Sequence, residues 1–304
     1  MHINYKNIKR YLTDKKYRFI KNGGRGLYKK MPDEQYLKLM YMAKIGFHLN
    51  LKNPQTFNEK IQWLKLYDRK ATYHSMADKY EAKKYISNVI GEQYVIPTLQ
   101  VYNTVQDIDF DDLPQQFVLK CTHDSHGIVI CRDKAQFNVN KAKRKLKRGL
   151  KRDYYLPLRE WVYKDLPRRI IAEEYVSNNG ENLIDYKVHC FNGEPKVILV
   201  CKGRYEKDGL REDFYDCDWN HLEVKRPHIS NAENLMKKPE QLEEMLELSR
   251  KLSKGIPFLR TDFYIVKGKL LVGELTFYPA SGFGAFVPES FDRTLGEYLV
   301  LPEI

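Results

Sequence analysis

The residues best placed to do chemistry lie near the C-terminus, in residues 258–277 (FLRTDFYIVKGKLLVGELTF). Strand alternation puts Arg260, Asp262 and Tyr264 on one face of a first strand, and Val272, Glu274 and Thr276 on one face of a second. A three-residue loop, Lys267–Lys269 with Gly268 inside it, is a common hairpin connection. It pairs Val266 with Leu270, sets Asp262 opposite Glu274, and sets Arg260 opposite Thr276. Two carboxylates about 5 Å apart across a ladder repel, so the pattern implies a cation between them. Hard oxygen ligands completed by water and phosphate suit Mg²⁺. The same spacing also admits a surface hairpin with Arg260 paired to one acid, or a protonated dyad. A slip of one residue would send the acids to opposite faces.

Two further stretches carry polar groups at strand ends. In residues 117–127 (FVLKCTHDSHG) a short apolar strand delivers Lys120 and then a loop of small donors, including His123 and Ser125, ending at Gly127. A lysine beside a loop rich in backbone N–H groups suits a phosphate. Cys121, His123, Ser125 and His126 also admit a nucleophile reading, although no partner residue supports it. In residues 169–176 (RIIAEEYV) an apolar strand ends in Glu173 and Glu174, followed by Tyr175 and Val176. Such an end suits backbone contacts to a base and a carboxylate on a ribose, or simply two solvated acids. Asp185, Lys187 and His189 alternate onto one face of the next strand, where Lys187 would be a second phosphate contact.

These groups need elements to hold them. From Asp33 to about Tyr85 the apolar spacing is helical, with a Thr56-x-x-Glu59 capping box as the clearest start signal. After about residue 95 the texture becomes short apolar strands at 95–99, 117–120, 127–131, 169–176, 186–191, 195–201, 258–266 and 270–277. One helix precedes the last two: Pro239 suits its first turn, Leu242, Met245, Leu246, Ser249 and Leu252 form its buried stripe, and Gly255 ends it. The fold class expected is α+β, or α/β with antiparallel hairpins, rather than a regular alternation of strand and helix. No GxGxxG and no GxxxxGK[ST] occurs, which removes two common nucleotide fingerprints.

At 304 residues and 42% hydrophobic, the chain can bury a sizeable core without disulfides. No stretch approaches the apolar run of a membrane span, and Met1–Lys9 has no signal-peptide core. Five cysteines without a CxxC pair fit reduced thiols, so a cytoplasmic location is expected. The net charge of +12 is local: residues 1–30 carry +9 and residues 141–152 (KAKRKLKRGLKR) carry +8, leaving the rest at −5. Basic patches on a slightly acidic body suggest docking to something anionic. In residues 1–30, Tyr5, Ile8, Tyr11, Phe19 and Ile20 alternate with the charges as in an interfacial segment. For residues 141–152 a solvated helix face is an equal reading. Nucleic acid is not expected as a partner, because no RNA- or DNA-binding signature is present.

Several of these segments together resemble a known family. Residues 78–86 (DKYEAKKYI) followed by Ile96-Pro97 resemble the opening of ATP-grasp domains. Residues 53–68 (NPQTFNEKIQWLKLYD), 117–125 (FVLKCTHDS), 185–193 (DYKVHCFNG) and 273–279 (GELTFYP) look like the TupA-like ATP-grasp family, named for teichuronopeptide biosynthesis. The resemblance covers roughly residues 45–304. It implies an ATP-grasp fold with a helical, basic N-terminal extension: residues 1–75 as lead-in and residues 76–304 as the ATP-grasp domain. Within that domain, about 113–176 would be a nucleotide-clamping part and about 177–304 a metal-binding part.

The implied activity is an ATP-dependent carboxylate–amine ligase of surface polysaccharide assembly, of the capsular or teichuronic type, working through an acyl phosphate. Its implied cofactors are ATP and Mg²⁺. The implied partners are an anionic polysaccharide or lipid-linked sugar and an amino-acid or amine co-substrate, with peripheral contact at the inner membrane face through the basic N-terminus. Carried over by residue, Lys120 and Lys187 would contact the phosphates, His123 and Ser125 the nucleotide, and Glu173, Glu174, Tyr175 and Val176 the adenine and ribose. Asp262, Glu274 and Thr276 would hold Mg²⁺, with Arg260 on the acyl phosphate or oxyanion. Two departures stand out: Thr276 replaces the superfamily's usual Asn, and Asp124 and His126 stand where glycines are common. Two alternatives are a glycosyltransferase, for which Asp216-Cys217-Asp218 is the nearest DxD string, and an ATP-grasp kinase.

Overall fold

The computed structural model describes residues 5–178, 182–204 and 209–303; residues 1–4 of the basic lead-in lie outside them. Six helices come first: α1 (Tyr5–Thr13), α2 (Lys15–Gly24), α3 (Asp33–Lys44), α4 (Phe57–Tyr67), α5 (Thr72–Ala77) and α6 (Glu81–Ile90). Asp14 caps α2 by accepting from Tyr17 N, and α4 starts with the expected box, in which Thr56 and Glu59 exchange side-chain to backbone bonds. Such boxes satisfy donors that a helix start leaves orphaned.

Strands follow. β1 (Thr98–Tyr102), β2 (Phe117–Cys121), β3 (Ile128–Cys131) and, after helix α7 (Val139–Leu150), β4 (Ile170–Glu174) form an antiparallel sheet of order β1-β4-β2-β3. β5 (Asp185–Phe191), β6 (Glu194–Lys202), β7 (Arg211–Tyr215), β8 (His221–Leu222), helix α8 (Leu242–Ser253), β9 (Phe258–Val266) and β10 (Lys269–Thr276) follow, then α9 (Ser290–Tyr298). Their strands make a six-stranded antiparallel sheet of order β10-β9-β5-β6-β7-β8. The fold is therefore α+β. β7 and β8 were not among the expected strands, and β1 begins at Thr98 rather than Val95. Pro239 sits in the turn before α8, where its carbonyl accepts from Leu242 N.

Each sheet has its own core. Phe117, Leu119, Ile170 and Ala172 pack with Ala142 and Leu146 of α7. Val188, Ile198, Leu199, Phe258 and Phe263 pack with Leu242, Met245 and Leu252 of α8 and with Phe57 and Ile61 of α4. Every such side chain, fully buried, contributes roughly 1.5–3 kcal/mol. Helix α4 meets α9 at Gly296, where a Cβ would lie 2.1 Å from the Gln55 carbonyl, so no larger residue fits. Asn58 bonds Asp292, and Lys60 bonds the Gly296 and Leu299 carbonyls, completing that contact.

One of the ties between the N-terminal helices and the body is a buried arginine. Arg159 pairs with Asp33 at 3.1 Å, donates to the Tyr28 and Leu156 carbonyls at 2.8 Å, and lies 4.4 Å from the Tyr36 ring centroid. A buried guanidinium without such partners would be costly, so this contact fixes α3 against the segment that leads into Glu160.

The β9–β10 hairpin reaches the expected pairing by a different route. Its turn is two residues, Lys267 (φ 49°) and Gly268 (φ 79°), so Val266 pairs with Lys269 rather than Leu270. Left-handed conformations at both central positions match the twist of the flanking strands. A β-bulge at Gly273 then adds back one residue, and Asp262 faces Glu274 while Arg260 faces Thr276. The bulge also separates Val272 from Glu274: Val272 pairs with Phe263 in the apolar core, and Glu274 lines a cavity.

Candidate active site

A cavity of about 670 Å³ opens between the two sheets. Its wall contains Lys120 and Ser125 from the first sheet and its loop, Glu173 to Val176 from the end of β4, and Lys187, Arg260, Asp262, Glu274 and Thr276 from the second sheet. Eleven of the twelve residues singled out from sequence thus meet on one surface. The exception is His123, whose side chain is buried and not part of that wall.

Asp262 is the electrostatic centre. Arg260 reaches along its own strand with a two-pronged grip, Nε to Oδ1 at 2.6 Å and Nη2 to Oδ2 at 2.7 Å. Lys187, directly across on β5, donates to Oδ2 at 2.6 Å. Burial disfavours the charged carboxylate, but Arg260 and Lys187 outweigh it and hold Asp262 below the usual carboxylate range. Glu274 is likewise held down: burial opposes its charge, and Lys79, 3.1 Å away, leads the cations that prevail. Arg260 also donates to the Thr276 hydroxyl at 3.0 Å. Side chains thus already offset both acids, and Arg260 pairs with Asp262 as the alternative to a metal ion had it.

A metal can still be accommodated. Among the described residues no group of three acid, His or Cys side chains could hold an ion alone. Asp262 and Glu274 nevertheless offer two ionised carboxylates on the cavity wall. They fit a hard cation that takes its remaining oxygens from phosphate and water.

At the other side, Glu173 is a buried acid gripped by two lysines, Lys83 at 2.7 Å and Lys120 closer still. Its carboxylate is engaged with them rather than left for a ribose, while Glu174 is exposed and Tyr175 and Val176 half-buried on the rim. Two loop residues behave unlike the glycines they stand in for. Asp124 is buried and accepts from the backbone N–H groups of His126 and Gly127 and from Arg152 at 2.9 Å. That anchors the loop from beneath and gives it rigidity that glycines would not. Burial pushes the Cys121 thiol up to about 12, and its sulfur faces the Leu146 carbonyl, so it is no nucleophile.

The floor of the cavity was not legible. Ala280 (φ 48°), Ser281 (φ 55°) and Gly282 (φ 63°) form a left-handed run, disfavoured for the two non-glycines by about 1–2 kcal/mol each. Lys65, wholly buried, holds it by donating to the Ser281 carbonyl at 2.7 Å, and Gln62 donates to the Gly282 carbonyl at 2.6 Å. Burial pulls Lys65 down to about 7 and pushes Glu160, which accepts from the Ser281 hydroxyl, upward. Lys79, Lys83, Glu160, Arg226 and Ser281 were all unassigned from sequence. Lys79 and Lys83, four residues apart in a quoted motif, were the two with a detectable signal.

The family model described as TupA-like ATPgrasp matches residues 59–300. Among solved structures, the chain is similar to the D-alanine–D-alanine ligase from Bacillus anthracis complexed with ATP. There the identity is 15% and the TM-score 0.43, over 74% of this chain and 64% of that one. For the D-alanine–D-alanine ligase from Helicobacter pylori the values are 14% and 0.42, over 81% and 70%. For D-cycloserine synthetase DcsG they are 15% and 0.42, over 74% and 69%. This chain thus spans less than two thirds of the first of these proteins, and likenesses so distant carry nothing about substrate. Among curated proteins, none matches.

Proposed function

The chain belongs to the TupA-like ATP-grasp family, and from that premise we propose that it is an ATP-dependent carboxylate–amine ligase of surface polysaccharide biosynthesis. The observation that supports this best is the row of Lys79, Lys187 and Arg260 around two ionised carboxylates, across a cavity from Lys120. A carboxylate is a poor electrophile, and converting it to an acyl phosphate supplies a leaving group. The protein then has to position substrates and neutralise charge rather than provide a covalent nucleophile.

On this reading the adenine and ribose lie along Glu174 to Val176, and Lys120 and Lys187 take the phosphates. Asp262 and Glu274 would hold Mg²⁺, which when bound supplies neutralisation of phosphate charge. One oxygen of the substrate carboxylate attacks the terminal phosphorus and ADP leaves. An amine nitrogen then attacks the acyl carbon, loses its proton, and displaces phosphate to leave an amide. Arg260 is placed to balance the oxyanion of that second step. No observation favours a glycosyltransferase: Asp216 of the Asp-Cys-Asp string spends its carboxylate on the backbone N–H groups of Asp218 and Asn220 in a turn outside the cavity wall.

The test is chemical. Purified protein with ATP, Mg²⁺, hydroxylamine and a panel of uronic and amino acids should release ADP and form a hydroxamate with at least one acid. ADP release with no hydroxamate would favour a kinase. Release of UDP from a UDP-sugar without ATP would favour a glycosyltransferase, and either result would displace the ligase reading.

The polymer or lipid-linked substrate places the enzyme near a membrane. No helix among the described residues is long and apolar enough to cross one. Helix α1 instead exposes Tyr5 (81%), Ile8 (47%) and Leu12 (67%) at helical spacing beside Lys9 and Arg10. An apolar edge with basic flanks suits an anionic interface. Vesicles containing phosphatidylglycerol should carry the protein upward in flotation. The triple variant Tyr5→Ser, Ile8→Ser, Leu12→Ser should stay at the bottom, and unchanged flotation would count against membrane contact.

A further inference from the structure

We propose that Arg226 and Arg260 together take the substrate carboxylate, with Arg226 the open guanidinium that awaits it. The inference rests on the ligase reading above and adds the residue that recognises the acid to be activated.

Arg226 lies in the segment after β8, and its side chain is only 17% exposed, in the cavity wall. Among the described residues its one ion-pair partner is Glu212, whose Oε2 lies 3.3 Å from Nε. That Oε2 makes no hydrogen bond, so the contact is an ion pair without donor alignment. Among the described residues, no N–H of the Arg226 guanidinium is donated to an acceptor. Arginine forks that are nearly buried normally spend several donors, and a fork left unspent in a cavity wall suits a carboxylate oxygen as acceptor.

The surroundings hold this guanidinium in place rather than satisfy it. Its carbon lies 5.2 Å from the Phe286 ring centroid, which fixes one face by cation–π contact. Gly284 lets it come close: a Cβ there would stand 2.6 Å from Nη1. Ala280 and Ser281, both left-handed, line the cavity as well, an arrangement of strain kept at a functional surface.

A second guanidinium shares the space. Burial pushes Arg226 down from its ordinary value, Glu212 opposes that, and Arg260 pushes it down further. Arg260 is spent on Asp262 and Thr276, and His189, paired across the strands with Arg260, is driven neutral, to about 3, by burial and then by both arginines. Neighbouring cations that repel each other in a partly desolvated pocket create a site where an anion is favoured. A carboxylate set between them would present one oxygen for attack while Arg226 holds the other.

Equilibrium binding of a carboxylate panel (D-glucuronate, D-galacturonate, L-glutamate, L-aspartate) tests this, with Mg²⁺ and a non-hydrolysable ATP analogue present. At least one acid should bind the wild type, and Arg226→Gln should weaken it at least about tenfold. The methyl ester of that acid should bind both proteins alike, and Arg226→Lys should recover part of the loss. The double variant Arg226→Gln, Glu212→Gln removes the stranded acid and should show the same loss, so that misfolding is not mistaken for it. If every acid binds Arg226→Gln as it binds the wild type, or none binds the wild type while the ATP analogue does, the proposal falls and the ligase reading stands. Failure of the ATP analogue to bind the wild type would overturn the ligase reading, and this inference with it.

Discussion

Glu274→Gln should abolish ATP turnover, by about a thousandfold or more, while lowering the unfolding midpoint only modestly. Removing one preorganised group that stabilises transition-state charge typically costs about 10²–10³ in rate, and here the acid that would hold the metal is lost. Its side chain is a third exposed (32%), so water already offsets part of its charge, although Lys79, 12% exposed, loses the acid it pairs with. Asp262→Asn should be equally inactive but far less stable. That side chain is 3% exposed, and its loss would strand Arg260 and leave Lys187 only the more distant Asp185, 3.9 Å away. Breaking one side of a buried ion pair costs about 3–5 kcal/mol, so its urea midpoint should fall well below that of Glu274→Gln. Two carboxylates that merely repelled each other would instead leave both variants at or above the wild-type midpoint, since neutralising either would relieve the hairpin. ADP release and urea melts on both variants separate the cases, and wild-type turnover in either would remove the metal assignment.

The same hairpin shows where sequence reading holds and where it slips. The apolar run of residues 258–266 located β9 to the residue, and alternation put Arg260, Asp262 and Tyr264 together on the cavity face although the strand is buried on both sides. The turn was misjudged by one residue, and the bulge at Gly273 compensated by one. Both are backbone choices that leave little trace in side-chain type, since a glycine permits either. The α4 capping box and the α8 stripe were legible for the same local reason. Arg226, Glu160 and Lys65 were not: each matters because distant segments meet around it, and on the chain a lone charged residue reads as solvated surface. His123 failed in the other direction. A polar residue in a loop reads as accessible, yet here Asp124 pins the loop and the imidazole turns inward.

Glu173→Gln should weaken binding of an ATP analogue at least about tenfold and cost about 3 kcal/mol of stability at pH 7. Glu173 sits on β4 and pairs with Lys120 of β2 and Lys83 of α6, so one carboxylate joins the small sheet to the helix beside it. It also sets where the Lys120 ammonium points, and an amide in its place would leave two half-buried cations without a counter-charge. The acid limb of the stability curve supplies an independent check. Burial favours the neutral acid, but Lys120 and then Lys83 outweigh it and hold Glu173 below its ordinary value. A depressed folded pKa contributes stability that is fully present above the unfolded value, about 4.3, and is lost as pH falls through the folded one. The gap in urea midpoint between wild type and Glu173→Gln should therefore be widest near neutrality and close at strongly acid pH. Lys120→Met, which leaves Glu173 paired with Lys83, should lose nucleotide affinity at much smaller cost in stability. Equal midpoints for wild type and Glu173→Gln at pH 7 would show that the two lysines are not held by this acid, and the placement of Lys120 toward the phosphates would lose its structural basis.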